Sequence, residues 1–185
     1  MKTVDWSQFL ENGLQLHGKQ SSMTVGVFDG VHLGHQALIK KIISQNENYT
    51  PVIFTFRQNH KTDSKDILSF KERLAMFGKL GIQITVVIDF TSEFKLMPGI
   101  EFLNLLLKHG GIGFFAVGSD FRCGYQLDTD AKAIQNFFAS RNIPAEIVSQ
   151  VIHESLPVSS SRIRAALASG DIAMAEKMLG YTIKK

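Results

Sequence analysis

The chain has 185 residues and a mass of 20.6 kDa, the size of one ordinary domain, so we do not expect two independent cores. Hydrophobic residues make up 44% and charged residues 20%, which excludes a disordered or fibrous chain, and the single cysteine, Cys123, excludes a disulfide scaffold or a multi-cysteine zinc module. The net charge of +3 comes from scattered lysines and arginines, so no basic stripe for nucleic acid is present in the sequence.

The N-terminal segment lacks the features of a targeting sequence. Residues 1–16 carry Lys2, Asp5 and Glu11 where a signal peptide needs an unbroken apolar core, so we expect no export. The apolar run at 103–107 ends at Lys108, well short of the about 20 residues that cross a bilayer. These observations predict a cytoplasmic protein without membrane contact.

Short apolar runs alternate along the chain with longer amphipathic segments, and turn or capping residues mark the boundaries. The predicted strands are 23–28, 52–56, 83–90, 113–118 and 146–151. The predicted helices are 33–44, 70–80, 99–109, 129–141, 161–168 and 172–179. This alternation predicts an α/β fold, a Rossmann-like doubly wound parallel sheet of about five strands with flanking helices, in one domain over residues 1–185. Such a sheet binds ligands at the carboxyl ends of its strands.

Local signals predict several helix boundaries. Ser69 and Glu72 have the spacing of a capping box, and Pro98 suits a first helical turn. Three glycines follow helical runs, where a left-handed residue often ends the helix: Gly81, Gly110 and Gly180. The polar stretch at 58–64 predicts a mobile loop.

The segment after the first predicted strand combines glycines with two histidines. Residues 26–35 read GVFDGVHLGH. The glycines let a ligand approach the backbone, and the free N–H groups of the helix that follows favour an anion such as phosphate. His32 and His35 are three residues apart and would project from one helix face toward that anion.

Two other interpretations of these histidines compete with phosphate binding. They are helix capping at the surface, and a metal site that includes Asp29, which no nearby cysteine supports. The spacing of the glycines does not match the G-x-G-x-x-G turn of dinucleotide-binding proteins. The position directly after the first strand, with glycines flanking both histidines, favours the phosphate interpretation.

The ten residues GVFDGVHLGH resemble the G-x-F-D-G-x-H-x-G-H signature of the nucleotidyltransferases. The form is that of the adenylyltransferase domain of the bacterial FAD synthetases, the bifunctional riboflavin kinase/FMN adenylyltransferases. The resemblance implies a nucleotidyltransferase fold in which His32 and His35 are catalytic, bind the ATP phosphates and stabilise charge at the α-phosphate. It also implies that residues of the same turn bind ATP: Gly26, Phe28, Asp29, Gly30 and Gly34.

A cluster of hydroxyls opens the penultimate predicted helix, where residues 158–164 read VSSSRIR. Three serines with Arg162 and Arg164 offer more donors than a helix cap needs, so phosphate binding is favoured over capping. The run resembles the family's I-S-S-T-x-I-R motif, with Val158 for isoleucine and Ser161 for threonine. The resemblance implies that four residues hold the β- and γ-phosphates of ATP: Ser159, Ser160, Ser161 and Arg164.

The end of the fourth predicted strand carries a third motif. Residues 117–124 read VGSDFRCG, similar to the family's V-G-x-[DN]-F-x-F-G. Gly118 permits close approach of a ligand and Asp120 can accept a hydrogen bond, although alone the segment is an ordinary strand-to-loop transition. Cys123 replaces the usual phenylalanine and is expected to pack or line the pocket. The resemblance implies a nucleotide and flavin pocket that contains Thr55, Phe56, Gly118, Asp120, Phe121 and Arg122.

One segment departs from the family pattern. After the second predicted strand the family has T-F-[DE]-P-x-P, associated with flavin binding, whereas residues 55–60 read TFRQNH. Arg57 puts a positive charge where a carboxylate is expected, so the acceptor contact or the stiffness of the loop is predicted to differ. The resemblance extends over residues 23–181, and no riboflavin kinase domain follows. We therefore expect either a stand-alone enzyme or a truncation.

The resemblance implies an FMN adenylyltransferase, an FAD synthetase that transfers AMP from ATP to FMN and releases pyrophosphate. The FMN phosphate would attack the α-phosphorus in line, without a covalent enzyme intermediate. Mg²⁺ is implied as the cofactor that neutralises the triphosphate, with no residue assigned as its ligand. ATP and FMN are the implied partners, without nucleic acid or membrane, and the sequence predicts no oligomeric state. Two alternatives stay open: a nucleotidyltransferase with another phosphorylated acceptor, and a flavin- or nucleotide-binding protein without catalysis.

Overall fold

A six-stranded parallel sheet forms the centre of the molecule, for which a computed structural model describes residues 1–45, 47–57 and 66–183. The strands in chain order are Lys2–Asp5 (β1), Gln20–Val25 (β2), Tyr49–Phe56 (β3), Ile84–Ile88 (β4), Ile112–Gly118 (β5), Arg122–Cys123 (β6), Thr129–Asp130 (β7), Ala145–Val148 (β8), Ile152–His153 (β9) and Leu156–Pro157 (β10). The central sheet has the order β1-β4-β3-β2-β5-β8, while β6 pairs with β7 and β9 pairs with β10.

Helices cover both faces of this sheet. They are Trp6–Asn12 (α1), Leu33–Ile43 (α2), Phe70–Lys79 (α3), Ser92–Leu96 (α4), Gly99–Gly110 (α5), Ala131–Ala139 (α6), Ser160–Ala168 (α7) and Ile172–Leu179 (α8). The apolar sides of α1, α5 and α6 pack on one face, and those of α2 and α3 on the other. Helices α7 and α8 form a third apolar cluster together. In the part of the chain that is described, no helix is long and apolar enough to span a membrane.

The predicted fold class is confirmed, with six strands instead of about five. Strand β1 was missed because it is a four-residue edge strand in which only Val4 is buried. The predicted strand 23–28 ends earlier, at Val25, because Phe28 adopts a left-handed φ of +56° that no strand accommodates. The strand predicted at 146–151 ends at Val148.

Most of the predicted helix boundaries lie where the local signals put them. The capping box is present, since the Ser69 N–H donates to Glu72 Oε2 at 2.9 Å. Gly81 and Gly180 have positive φ angles, but Gly110 remains inside α5 and Gly111 is the left-handed residue at its end. Pro98 is the N-cap of α5 and not its first helical residue. The predicted loop 58–64 lies outside the described residues.

The order of the strands reverses at β2. From β2 the chain moves to β3 and β4 on one side, and later to β5 and β8 on the other. In an open parallel sheet this reversal leaves a crevice at the carboxyl ends of the strands, where ligands bind. The three sequence motifs fall there, after β2, after β5 and at the start of α7.

Candidate active site

A cavity of about 490 Å³ opens at the carboxyl ends of β2, β5 and β8. It brings together most of the residues that the motifs predict: Gly26, Phe28, Asp29, His32, Gly34, His35, Gly118, Asp120, Phe121, Ser159, Ser160, Ser161 and Arg164. Three motifs that are far apart in the sequence therefore line one space. This volume is within the range of small-molecule sites.

The turn between β2 and α2 forms the base of this cavity. Phe28 and Val31 have φ angles of +56° and +38°, and the Val31 N–H donates to the Phe28 carbonyl at 3.0 Å. Gly30 has φ +78°, and a Cβ there would lie 3.1 Å from Ile67 Cδ1. Left-handed conformations are unusual for non-glycine residues and are found at functional sites.

The two histidines of the first motif lie against each other. His32 is the N-cap of α2, and its Nδ1 accepts a long 3.4 Å hydrogen bond from the His35 N–H. The imidazole rings stack with centroids 3.6 Å apart and planes 18° apart. A Cβ at Gly34 would lie 3.2 Å from His32 Cε1, so glycine leaves room for the ring. The predicted pairing of the histidines is thus produced by an N-cap followed by the first helical turn.

His32 is neutral at physiological pH. Its side chain is only 6% exposed, and this burial lowers its pKa to about 4, although the nearby carboxylate of Asp120 acts in the opposite direction. In a neutral imidazole one nitrogen accepts and the other donates. Because Nδ1 accepts from His35, Nε2 carries the proton and is the donor.

The hydroxyls at the start of α7 contribute both a cap and a contact across the cavity. Ser159 is the N-cap, and its Oγ accepts from the Arg162 N–H at 3.3 Å. Ser160 Oγ donates to the Asp29 carbonyl at 2.9 Å, which joins α7 to the turn after β2. Ser161 is exposed at the cavity wall. The serine cluster therefore includes the cap and also faces the site.

The two arginines of this motif point in different directions. Arg162 Nη1 donates to the carbonyls of Leu156 and Pro157, at 2.9 and 2.8 Å, so it holds the β9–β10 hairpin and is not among the residues that line the cavity. Arg164 lines the cavity and pairs with the carboxylate of Asp29.

Asp29 connects several elements around the turn. One carboxylate oxygen binds Arg164, and the other accepts from the Ile67 N–H at 2.9 Å. Its side chain is only 5% exposed. Among the described residues, no three His, Cys, Asp or Glu side chains are grouped closely enough to hold a metal ion.

The segment at and just after the end of α8 also anchors this turn. Tyr181 Oη donates to the Gly30 carbonyl at 2.6 Å, and Gln36 Nε2 donates to the carbonyls of Val31 and Leu179 at 2.9 and 2.8 Å. Sequence analysis did not single out Tyr181 or Gln36 for this role. Both act on backbone carbonyls, which no residue pattern predicts.

Four of the predicted pocket residues lie outside the cavity lining. Gly30 is in the turn beneath it, and Thr55 is buried with its Oγ1 donating to the Val27 carbonyl at 3.2 Å. Phe56 packs edge-on against Phe94 in the core. Arg122 is exposed, 4.0 Å from Asp130, in a neighbouring groove.

The FAD synthetase family matches residues 14–162, more than half of the chain. The chain belongs to the FAD synthetase family. A bifunctional riboflavin kinase/FMN adenylyltransferase of Buchnera aphidicola subsp. Schizaphis graminum is 26% identical over 91% of this chain and 57% of that protein. An FAD synthetase of Listeria monocytogenes is 26% identical over 86% of this chain and 68% of that protein.

A solved structure shares the architecture of this family member. The crystal structure of a protein described as a macrolide-efflux protein from Streptococcus pneumoniae matches with a TM-score of 0.84 and 26% identity, over 98% of this chain and 60% of that one. The chain spans just over half the length of the bifunctional relatives it matches.

Arg57 and Cys123 are the two positions at which this FAD synthetase family member departs most from the family motifs, and the structure shows the contacts of both. Arg57 pairs with Asp89 at 2.7 Å and Asp5 at 3.1 Å, which joins the carboxyl ends of β3, β4 and β1 outside the cavity. Cys123 packs against the apolar core, and burial together with the Asp128 charge raises the pKa of its thiol to about 12. A thiol with so high a pKa is not a nucleophile at neutral pH, in agreement with the predicted packing role.

Proposed function

We propose that this protein is an FMN adenylyltransferase, which transfers AMP from ATP to FMN and releases FAD and pyrophosphate. The observation that carries the proposal is the stacked pair of His32 and His35 at the N-terminus of α2, facing the serines of α7 across one cavity. Membership of the FAD synthetase family and the names of the similar proteins support the choice of reaction and of substrates.

The triphosphate of ATP is proposed to bind between the N-termini of α2 and α7. Both ends offer free backbone N–H groups and the positive end of a helix dipole, which favour anions. Ser159, Ser160, Ser161 and Arg164 are proposed to hold the β- and γ-phosphates. The Asp29 carboxylate partly neutralises Arg164 before the nucleotide arrives.

The histidines are proposed to stabilise the charge that develops as the FMN phosphate attacks the α-phosphorus in line. Neutral His32 contributes its Nε2–H as a hydrogen-bond donor and adds no full positive charge. Catalysis then consists of positioning both substrates and stabilising the transferring phosphoryl group and the leaving pyrophosphate. This arrangement requires no covalent intermediate on the protein.

We propose that Mg²⁺ enters with the triphosphate. Mg²⁺ keeps several waters and needs only one or two carboxylates besides the substrate phosphates. Asp120, exposed at the cavity, fits that requirement, whereas both oxygens of Asp29 are engaged by Arg164 and Ile67. Bound Mg²⁺ would neutralise negative charge on the phosphates.

Gly118, Asp120 and Phe121 are proposed to complete the nucleotide side of the pocket, because they line the same cavity as the turn after β2. Thr55 and Phe56 are proposed to support the nucleotide and flavin pocket from beneath, since both are buried outside the lining. The reaction is proposed to take place in the cytoplasm, within a single domain formed by residues 1–185.

The test is to incubate the purified chain with FMN, ATP and Mg²⁺ and to separate FAD and pyrophosphate by chromatography, with riboflavin as a parallel substrate. We expect FAD from FMN and no FMN from riboflavin. ATP turnover only with another phosphorylated acceptor, such as phosphopantetheine or glycerol phosphate, would assign a different transferase. ATP binding without turnover on any acceptor would assign a binding protein.

A further inference from the structure

A buried arginine lies behind the candidate active site. Arg73, in α3, is 1% exposed and is among the largest fully buried side chains of the described residues. Within the described residues it forms no salt bridge, and its Nε–H has no hydrogen-bond partner. Asp66 and Asp29 act on its charge only through space. The Phe70 ring lies 5.3 Å from its Cζ, but no carboxylate of the described residues contacts the guanidinium. A buried charge without an ion-pair partner is costly, so its position calls for a function.

The guanidinium is used to hold backbone carbonyls at the ends of two neighbouring strands. Nη1 donates to the Val27 carbonyl in the turn after β2. Nη2 donates to the carbonyls of Phe56 and Arg57 at the end of β3, at 2.8 and 3.2 Å. The rigid guanidinium therefore fixes the distance between the turn after β2, which leads to the histidines, and the end of β3, where Arg57 replaces the family's carboxylate.

The hydrogen bond to Val27 fixes the orientation of one peptide. Thr55 Oγ1 donates to the same carbonyl at 3.2 Å, and neither Arg73 nor Thr55 lines the cavity, so this oxygen is anchored twice from outside the lining. The peptide bond is trans, so the Phe28 N–H points in the opposite direction. Val27 and Phe28 both line the cavity. Their shared peptide therefore presents its N–H on the side where the nucleotide phosphates are proposed to bind.

We propose that Arg73 is a positioning residue of the nucleotide site, which turns the Val27–Phe28 peptide so that the Phe28 N–H donates to an ATP phosphate. The inference rests on the proposed function for the choice of ligand. Thr55 assists, because it shares the Val27 carbonyl. A backbone donor held in advance costs no reorganisation when charge develops on the phosphate.

Three variants and one control test this role. Arg73→Met removes the fork, Arg73→Lys keeps the charge with fewer donors in a different geometry, and Thr55→Val removes only the second anchor. Arg141→Met is the matched control, since Arg141 Nη1 also donates to a backbone carbonyl, that of Phe137 at 2.8 Å, outside the cavity lining. For each protein, calorimetry gives the Kd for ATP with Mg²⁺ well below its Tm, and the FAD assay gives kcat per folded molecule.

We expect Arg73→Met to bind ATP about tenfold more weakly and to lower kcat about a hundredfold, the scale of a misplaced donor. Arg73→Lys should recover part of both losses, Thr55→Val should show a smaller loss in the same direction, and Arg141→Met should match the wild type. A merely structural role would lower Tm and leave Kd and kcat of the folded protein unchanged.

Folded Arg73→Met with wild-type Kd and kcat would overturn the inference. Should Arg73→Met fail to fold, wild-type values in both Arg73→Lys and Thr55→Val would overturn it. If the wild type binds ATP and makes no FAD, the proposed function fails while the Kd series still decides the role of Arg73. A wild type that does not bind ATP would overturn both.

Discussion

The two roles of His32 can be separated by two substitutions of similar size. Its Nδ1 accepts the His35 N–H and so caps α2, whereas its Nε2–H is proposed to donate to the α-phosphate. In His32→Asn, Oδ1 can take the place of Nδ1 while no donor remains at the position of Nε2. In His32→Gln, the amide NH₂ can take the place of Nε2, and the cap is lost. The cap and the donor are therefore removed one at a time.

The expected losses in turnover and in stability have different origins. Loss of one preorganised donor to a developing charge costs about 10²–10³ in kcat, about 2.7–4 kcal/mol. Both substitutions remove the ring stacked on His35, worth about 0.5–1.5 kcal/mol of stability. The cap adds about 0.5 kcal/mol, at the low end for caps because the hydrogen bond is 3.4 Å long. We therefore expect His32→Asn to be far less active than His32→Gln, yet slightly more stable.

The assay is the rate of FAD formation at saturating ATP and FMN, with urea unfolding of each variant as the measure of stability. His32→Asn should lose about two to three orders of magnitude in kcat, and His32→Gln should remain within about tenfold of the wild type. Wild-type turnover in His32→Asn would refute the donor role. Equal losses in both variants would show that ring stacking, and not the Nε2–H, supports activity.

Three further predictions follow from single groups. His32 binds a proton near pH 6.5 in the unfolded chain but only near pH 4 in the folded protein. The free energy of unfolding, measured by urea titration, should therefore fall by about 2 kcal/mol from pH 7 to pH 5 because of this residue. His32→Asn should lack this part of the pH dependence. Arg57→Ala breaks two exposed ion pairs and a contact with the Phe70 ring at 5.4 Å, so it should cost about 1 kcal/mol and leave kcat within about threefold; a loss beyond tenfold in a folded variant would place Arg57 at the acceptor. Cys123, whose pKa is about 12, should react with iodoacetamide at pH 8 about a hundredfold more slowly in the native protein than in urea, and equal rates would contradict its burial.

The regular core of the fold could be predicted from the sequence because its signals are local. Strands buried on both faces read as continuous apolar runs, as in β3, where seven of eight residues are buried. Strand β1 and helix α4 gave no such signal, since β1 buries only Val4 and α4 buries none of its residues. Such short elements are stabilised by contacts with residues distant in the chain, as β1 is by its pairing with β4, and the local sequence does not reveal those contacts.

The lining of the site was also largely predictable, but the contacts among its residues were not. The motifs identify glycines at which a ligand can approach the backbone and side chains that can donate hydrogen bonds to it. Most of those residues meet in one cavity. The pair of Asp29 with Arg164 joins residues 135 positions apart, which no local pattern indicates. The different directions of Arg162 and Arg164 could have been foreseen, because residues two apart on a helix lie on nearly opposite sides.

The glycine-bearing turn depends on the C-terminal helices for its shape. Phe28 and Val31 have positive φ angles, and such strained residues cost on the order of 1–3 kcal/mol each and persist only where neighbours fix them. Here Ser160, Arg164 and Tyr181 each bind the turn from positions 131 to 151 residues away in the chain. Weakening the contact of α7 and α8 with the turn should therefore disorder the histidine pair before it disturbs the central sheet. We therefore expect the site to open more readily than the central sheet in native-state hydrogen exchange, because the hydrogen bonds that offset its strain come from outside the sheet.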